Sequence, residues 1–156
     1  MKDIELRKII TDHFYYYSKL TEKELISETR LAAEKYISSF NSLVPGGDPY
    51  SFLMNTLTTF VYLDKKVDEK EYKFFLAVFK EKISVEFEAF KKDLKQRSKG
   101  GIKQITNVIS SLTKHFEKSG VIEFKDSLMK LGLAFCSIDG KISEIEMELL
   151  TFYLKD

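Results

Sequence analysis

Apolar side chains recur every three or four residues along almost the whole chain, which is the spacing of one face of an α-helix. Leu53, Phe60 and Leu63 define one such stripe, and Leu128 and Phe135 belong to another. No stretch of strand length alternates apolar and polar residues between turn signals. The pattern therefore predicts an all-α fold, a single domain of about seven to eight short helices.

Turn residues and capping signals bound the predicted helices. Thr21 and Glu24 form a capping-box pattern. Asp48 followed by Pro49 is typical of an N-cap residue before the first helical residue. Gly100-Gly101 separates two later segments. The eight predicted helical segments are 4–20, 21–40, 49–63, 69–82, 85–97, 102–120, 121–138 and 144–155.

One helix–turn–helix segment occurs twice, because residues 60–71 resemble residues 135–146 at a spacing of 75 residues. In each copy an apolar helix ends in an acidic turn and a second helix follows. We expect the two copies to pack about a pseudo-two-fold axis, as duplicated units often do. The identical pairs are Phe60/Phe135, Asp64/Asp139, Lys66/Lys141, Glu69/Glu144 and Glu71/Glu146.

The acidic residues of these turns have two interpretations. Clustered carboxylate oxygens are the ligands that a hard divalent cation prefers. Helix capping explains the same residues, because Asp68 and Ser143 suit N-cap positions and Glu71 and Glu146 follow three residues later. The spacing excludes an EF-hand, since Lys141 stands where that loop requires its second ligand.

Composition narrows the class of protein without identifying a reaction. With 156 residues and 44% apolar content, the chain suits one domain with a sizeable core. The net charge of +1 gives no global attraction to nucleic acid or to anionic lipid. We interpret the basic stretch 91–103 as a solvated connection rather than a phosphate-binding patch. The lone Cys136 excludes internal disulfides, and without a signal peptide or membrane span we expect a cytoplasmic protein.

No catalytic constellation is visible in the sequence. His13 and His115 are the only histidines, and each lies beside apolar residues on a predicted helix. No GxGxxG, phosphate-loop or HExxH motif occurs. We therefore predict that the protein is not an enzyme and holds no organic cofactor.

The acidic-turn motif resembles that of the tellurite-resistance TerB family, and of the TerB-like domain of membrane-anchored DnaJ-type co-chaperones. The motif reads Asp-Gly-x-(Ile/Val)-x-x-x-Glu between two helices. Residues 139–146 match it well, whereas residues 64–71 have Lys65 in place of the glycine. The resemblance covers residues 50–156 and implies an all-helical, pseudo-symmetric TerB-like domain.

The resemblance implies a cytoplasmic stress-response module that binds a divalent metal ion (Ca, Mg or Zn), a partner protein, or both. The metal-ligand candidates carried over by position are Asp64, Asp68, Glu71, Asp139 and Glu146. The alternative is a pure protein-interaction or scaffold domain without metal, whose acidic residues are helix caps.

The predicted organisation is an N-terminal helical hairpin, residues 1–45, packed on a TerB-like core, residues 46–156. The resemblance is compatible with a homodimer and with association with a membrane-bound complex. Neither nucleic-acid binding nor direct insertion into a membrane is expected from the charge and hydropathy of the chain.

Overall fold

The computed structural model describes residues 2–61, 68–79 and 86–156. Within these ranges the chain forms eight α-helices and no β-strand, which confirms the all-α class predicted from the apolar spacing. None of these helices is long and apolar enough to cross a membrane. The helices are α1 (Asp3–Ser18), α2 (Glu22–Leu43), α3 (Pro49–Val61), α4 (Glu69–Phe79), α5 (Phe87–Ser98), α6 (Ile102–Lys118), α7 (Ile122–Ile138) and α8 (Glu144–Leu154).

The predicted capping signals are present at the starts of α2 and α3. The Thr21 hydroxyl accepts a hydrogen bond from the Glu24 N–H at 3.2 Å, and the Glu24 carboxylate accepts one from the Thr21 N–H at 3.0 Å. Asp48 accepts from the N–H groups of Tyr50 and Ser51, both at 3.1 Å. Each cap satisfies helix N–H groups that have no partner within the helix.

Helix α7 lies at the centre of the molecule and contacts α1, α2, α3, α4, α6 and α8. Gly132 of α7 allows α3 and α8 to pack closely against this helix. A Cβ atom there would lie 2.6 Å from Cζ of Phe60 and 2.7 Å from Cδ2 of Leu150. The missing side chain is therefore a packing requirement of the core.

The repeat extends beyond the two acidic turns. Helices α4 and α8 occupy segments 75 residues apart, and each is 11 residues long. Every buried position described in α3 is also buried at the equivalent position of α7. These pairs are Leu53/Leu128, Met54/Met129, Thr56/Leu131, Leu57/Gly132, Thr58/Leu133, Thr59/Ala134, Phe60/Phe135 and Val61/Cys136.

The first helix of each half packs on the other half. Helix α1 contacts α7 and α8, whereas α5 contacts α3 and α4. Helices α2 and α6 also follow this pattern, because α2 lies against α7 and α6 lies against α3. The contacts indicate a repeat of four helices, α1–α4 and α5–α8, whose two halves interlock.

Candidate functional site

The described part of the first acidic turn is a helix cap. The Asp68 carboxylate accepts a hydrogen bond from the Glu71 N–H at 2.8 Å, and the Glu71 carboxylate accepts one from the Asp68 N–H at 3.3 Å. The two predicted ligands Asp68 and Glu71 are thus brought together at the start of α4. Asp64, the third predicted ligand of this turn, lies outside the described residues.

The second turn has the same arrangement. Ser143 accepts from the Glu146 N–H at 3.1 Å, and the Glu146 carboxylate accepts from the Ser143 N–H at 2.9 Å. Asp139 occupies the C-cap position of α7. Glu144 is held by Arg7 of α1 at 2.8 Å. The capping interpretation of Glu71 and Glu146 is confirmed.

A metal site needs several donors directed at one point. Within the described ranges, no three His, Cys, Asp or Glu side chains lie where they could jointly hold a metal ion. The described turn residues alone do not supply such a donor set. Metal binding at the turns therefore stays a prediction that involves Asp64.

The repeat also creates two equivalent clefts, each between the first helix of one half and the third helix of the other. The α5–α3 cleft has a volume of about 360 Å³ and the α1–α7 cleft one of about 540 Å³. The α5–α3 cleft is lined by Asp48, Tyr50, Ser51, Met54, Ala89, Phe90, Asp93 and Arg97. The α1–α7 cleft is lined by Leu6, Ile9, Lys35, Ile122, Glu123, Lys125, Asp126, Met129, Leu154 and Asp156.

Arg97 crosses the α5–α3 cleft and ties its two helices together. One guanidinium nitrogen donates to the carbonyl and hydroxyl oxygens of Ser51, both at 3.1 Å, and to Asn55 Oδ1 at 2.9 Å. A second nitrogen donates to Asp93 at 3.0 Å. This side chain therefore has a structural role between α5 and α3.

The equivalent residue leaves the α1–α7 cleft open. His13 is the eleventh residue of α1, as Arg97 is the eleventh of α5. Its Nδ1 lies 2.9 Å from the Ile9 carbonyl oxygen of its own helix, so it makes this contact within α1. One of the two clefts is thus bridged by a side chain that the other lacks.

The floor of the α1–α7 cleft is apolar. Leu6, Met129 and Leu154 lie there with 4–8% of their surface exposed, and Ile9 is half-buried beside them. Ile122 stands at the mouth with 71% of its surface exposed. An exposed β-branched side chain next to an apolar floor is a suitable contact for an apolar group of a partner.

Charges of both signs surround this floor. Lys125 pairs with Glu117 at 2.6 Å and with Asp156 at 3.4 Å. Asp126 pairs with Lys130 at 2.9 Å. The remaining rim charges, Lys35 and Glu123, form no ion pair with any described residue. The rim thus offers one cation and one anion for recognition.

Sequence reasoning did not identify this cleft. Its residues come from both ends of the chain, and no local motif joins Leu6 to Met129 or Leu154. One signal was present: Ile122, an apolar residue at the first position of α7, lies outside the buried stripe of that helix.

Comparisons of the chain with protein-family models, with curated proteins and with solved structures give no match. The TerB resemblance therefore stays a prediction. The internal repeat allows the two equivalent clefts to be compared, and Arg97 bridges one of them whereas His13 does not bridge the other.

Proposed function

We propose that the protein is a non-catalytic interaction module that holds a segment of a partner protein in the α1–α7 cleft. The observation that carries the proposal is the open apolar floor of that cleft, whereas Arg97 bridges the equivalent α5–α3 cleft. The proposal corresponds to the interaction-domain alternative predicted from the sequence.

The charges of the rim favour a polypeptide as the ligand. Fatty acids and nucleotides carry negative charge only, so they would pair with Lys35 and leave Glu123 without a partner of opposite charge. A peptide can present an apolar anchor together with a basic and an acidic side chain, which would pair with Glu123 and Lys35. The volume of about 540 Å³ lies within the range of known binding pockets and suffices for one or two large side chains.

A displayed library of random peptides provides a probe that requires no knowledge of the natural partner. We expect selected peptides to share an apolar anchor flanked by charges of opposite sign. Ile122→Glu should weaken their binding by about tenfold or more, because a carboxylate at the mouth opposes apolar contact and adds to the negative charge of the rim.

Ile145→Glu is the matched control, since Ile145 is also an exposed isoleucine in the first turn of a helix, α8. It should leave binding unchanged. The proposal fails if no peptides are enriched, or if the two variants bind the selected peptides equally well.

A divalent cation at the acidic turns is the second candidate function. It is favoured by the repetition of the Asp64 position at Asp139, which lies at the C-cap of α7. Calorimetric titration of the chelator-treated protein with Ca²⁺, Mg²⁺ and Zn²⁺ tests it. Micromolar binding that the Asp64→Asn/Asp139→Asn double variant loses would support a TerB-like stress-response module, and flat traces would reject the metal.

A further inference from the structure

Helices α5 and α6 expose two rows of lysines, which we together call the α5–α6 basic face. Its members lie on two consecutive helices and at Lys99, the C-cap residue of α5, and both helices pack on α3. All of these lysines are exposed. They are Lys92, Lys95, Lys99, Lys103, Lys114 and Lys118.

The charge of this region is unbalanced. Residues 89–118 contain eight Lys or Arg and two acidic residues, although the whole chain carries a net charge of only +1. Both acids are already engaged, Asp93 with Arg97 at 3.0 Å and Glu117 with Lys125 at 2.6 Å. Among the described residues, the lysines of the face have no carboxylate within ion-pair distance.

Helical spacing places these lysines in two rows. Lys92, Lys95 and Lys99 are three and four residues apart, so they share one side of α5. Lys103, Lys114 and Lys118 share one side of α6, and the one acidic residue of this helix, Glu117, is paired with Lys125 at 2.6 Å. At a rise of 1.5 Å per residue, this second row spans roughly 22 Å.

The sequence alone favoured a solvated connection at residues 91–103, but the exposed lysines of α6 extend the basic surface beyond that stretch. From this placement we propose that the α5–α6 basic face binds the surface of a lipid bilayer that contains anionic headgroups. The type of cation on this face indicates which anionic ligand it binds. Lysine is a flexible point charge, whereas nucleic-acid recognition favours the planar fork of arginine and stacking aromatic rings. The one arginine of the region, Arg97, points inward to Ser51 and Asn55.

A bilayer suits an array of point charges because anionic lipids diffuse laterally and collect beneath them. The attraction acts at a distance and does not require insertion. It falls off over a Debye length, which is about 10 Å in 0.1 M salt. None of the six lysines lines the α1–α7 cleft, so either proposal can hold without the other.

Sedimentation with vesicles tests the proposal on the full chain. We expect binding to phosphatidylcholine vesicles that contain about one-third phosphatidylglycerol, and none to pure phosphatidylcholine. Binding should fall at least tenfold between about 0.1 M and 0.5 M salt, because salt screens exposed charges. The triple variant Lys99→Gln/Lys103→Gln/Lys114→Gln should lose at least tenfold in partitioning.

The control variant Lys8→Gln/Lys23→Gln/Lys70→Gln removes the same charge from exposed lysines on other helices. It should bind vesicles like the unmodified protein, and thermal unfolding would verify that both variants fold. Equal loss in the two variants, no preference for anionic vesicles, or displacement of the protein from vesicles by equimolar duplex DNA would each overturn the proposal.

Discussion

The hydroxyl groups of Tyr36 and Tyr153 are hydrogen-bonded in the core, where water cannot reach them. Tyr153 donates to Thr59 Oγ1 at 2.8 Å, and Tyr36 bonds to Thr56 Oγ1. Burial raises the pKa of Tyr153 to about 12 and that of Tyr36 well above its usual value. Both rings therefore stay neutral at ordinary pH and join α2 and α8 to α3.

The raised pKa of Tyr153 predicts a loss of stability in alkali. Its contribution is complete below pH 10.0, the pKa of an exposed tyrosine, and disappears as the pH rises to about 12, because only the unfolded chain releases the proton in this window. Tyr153→Phe should lower stability at neutral pH by about 1 kcal/mol and reduce the loss between these two pH values.

Chemical denaturation followed by circular dichroism at a series of pH values measures both effects. Tyr15→Phe is the control, since Tyr15 has 62% of its surface exposed. A Tyr153→Phe variant with an unchanged alkaline slope would contradict the assignment of this titration to Tyr153.

The cap at the start of α8 gives a second prediction for single residues. Ser143→Ala removes the oxygen that accepts from the Glu146 N–H, and we expect it to lower the free energy of unfolding by about 1 kcal/mol. Ser143→Asn keeps an acceptor and should lose much less. Urea denaturation of the two variants checks this, and equal losses would show that the cap is not the source of the stability.

At the scale of helices, the contact among α3, α7 and α8 depends on one glycine. Gly132 lies within α7, where glycine costs about 1 kcal/mol of helix propensity relative to alanine. Phe60 of α3 and Leu150 of α8 occupy the space that a side chain would need. Close packing thus outweighs local preference at this position.

Gly132→Ala should consequently destabilise the protein by about 1–3 kcal/mol, despite the better helix propensity of alanine. The double variant Gly132→Ala/Phe60→Leu makes room for the added methyl group and should recover part of the loss. Thermal and urea unfolding of the single and double variants measure this coupling. An increase in stability on Gly132→Ala would show that the space between the three helices accommodates a methyl group.

At the scale of the whole molecule, the two halves of the repeat complete each other. Helix α7 is contacted by α1 and α2 of the first half, and α3 is contacted by α5 and α6 of the second. Since each half supplies part of the other's core, the hydrophobic burial that stabilises the fold is shared between them.

We therefore predict that residues 46–156 alone do not fold cooperatively, because the loss of α1 and α2 exposes the buried face of α7. The fragment should bind a hydrophobic dye and melt without a sharp transition, whereas the full chain should melt cooperatively. A fragment with native helicity and a cooperative transition would instead identify residues 1–45 as a dispensable hairpin.

Much of the fold was accessible from local patterns. The apolar period, the caps at Thr21, Asp48, Asp68 and Ser143, and the glycine breaks predicted the helices with errors of a few residues at their ends. The match between residues 60–71 and 135–146 revealed the repeat but covered only its last two helices. Since the sequences of α1 and α5 differ, their equivalence is recognised only from the helices that each of them contacts.

The amino-acid sequence by itself determined the helical class, the helix caps and the duplicated acidic turns, because these depend on residues three to four positions apart. Only the tertiary structure decided which helix faces meet. In the folded chain, Leu6, Met129 and Leu154 line the same cleft. Arg97 reaches across the α5–α3 cleft, whereas His13 contacts its own helix beside the α1–α7 cleft. Such contacts join residues that are distant in the chain. They depend on how the helices pack, which no pattern of neighbouring residues specifies.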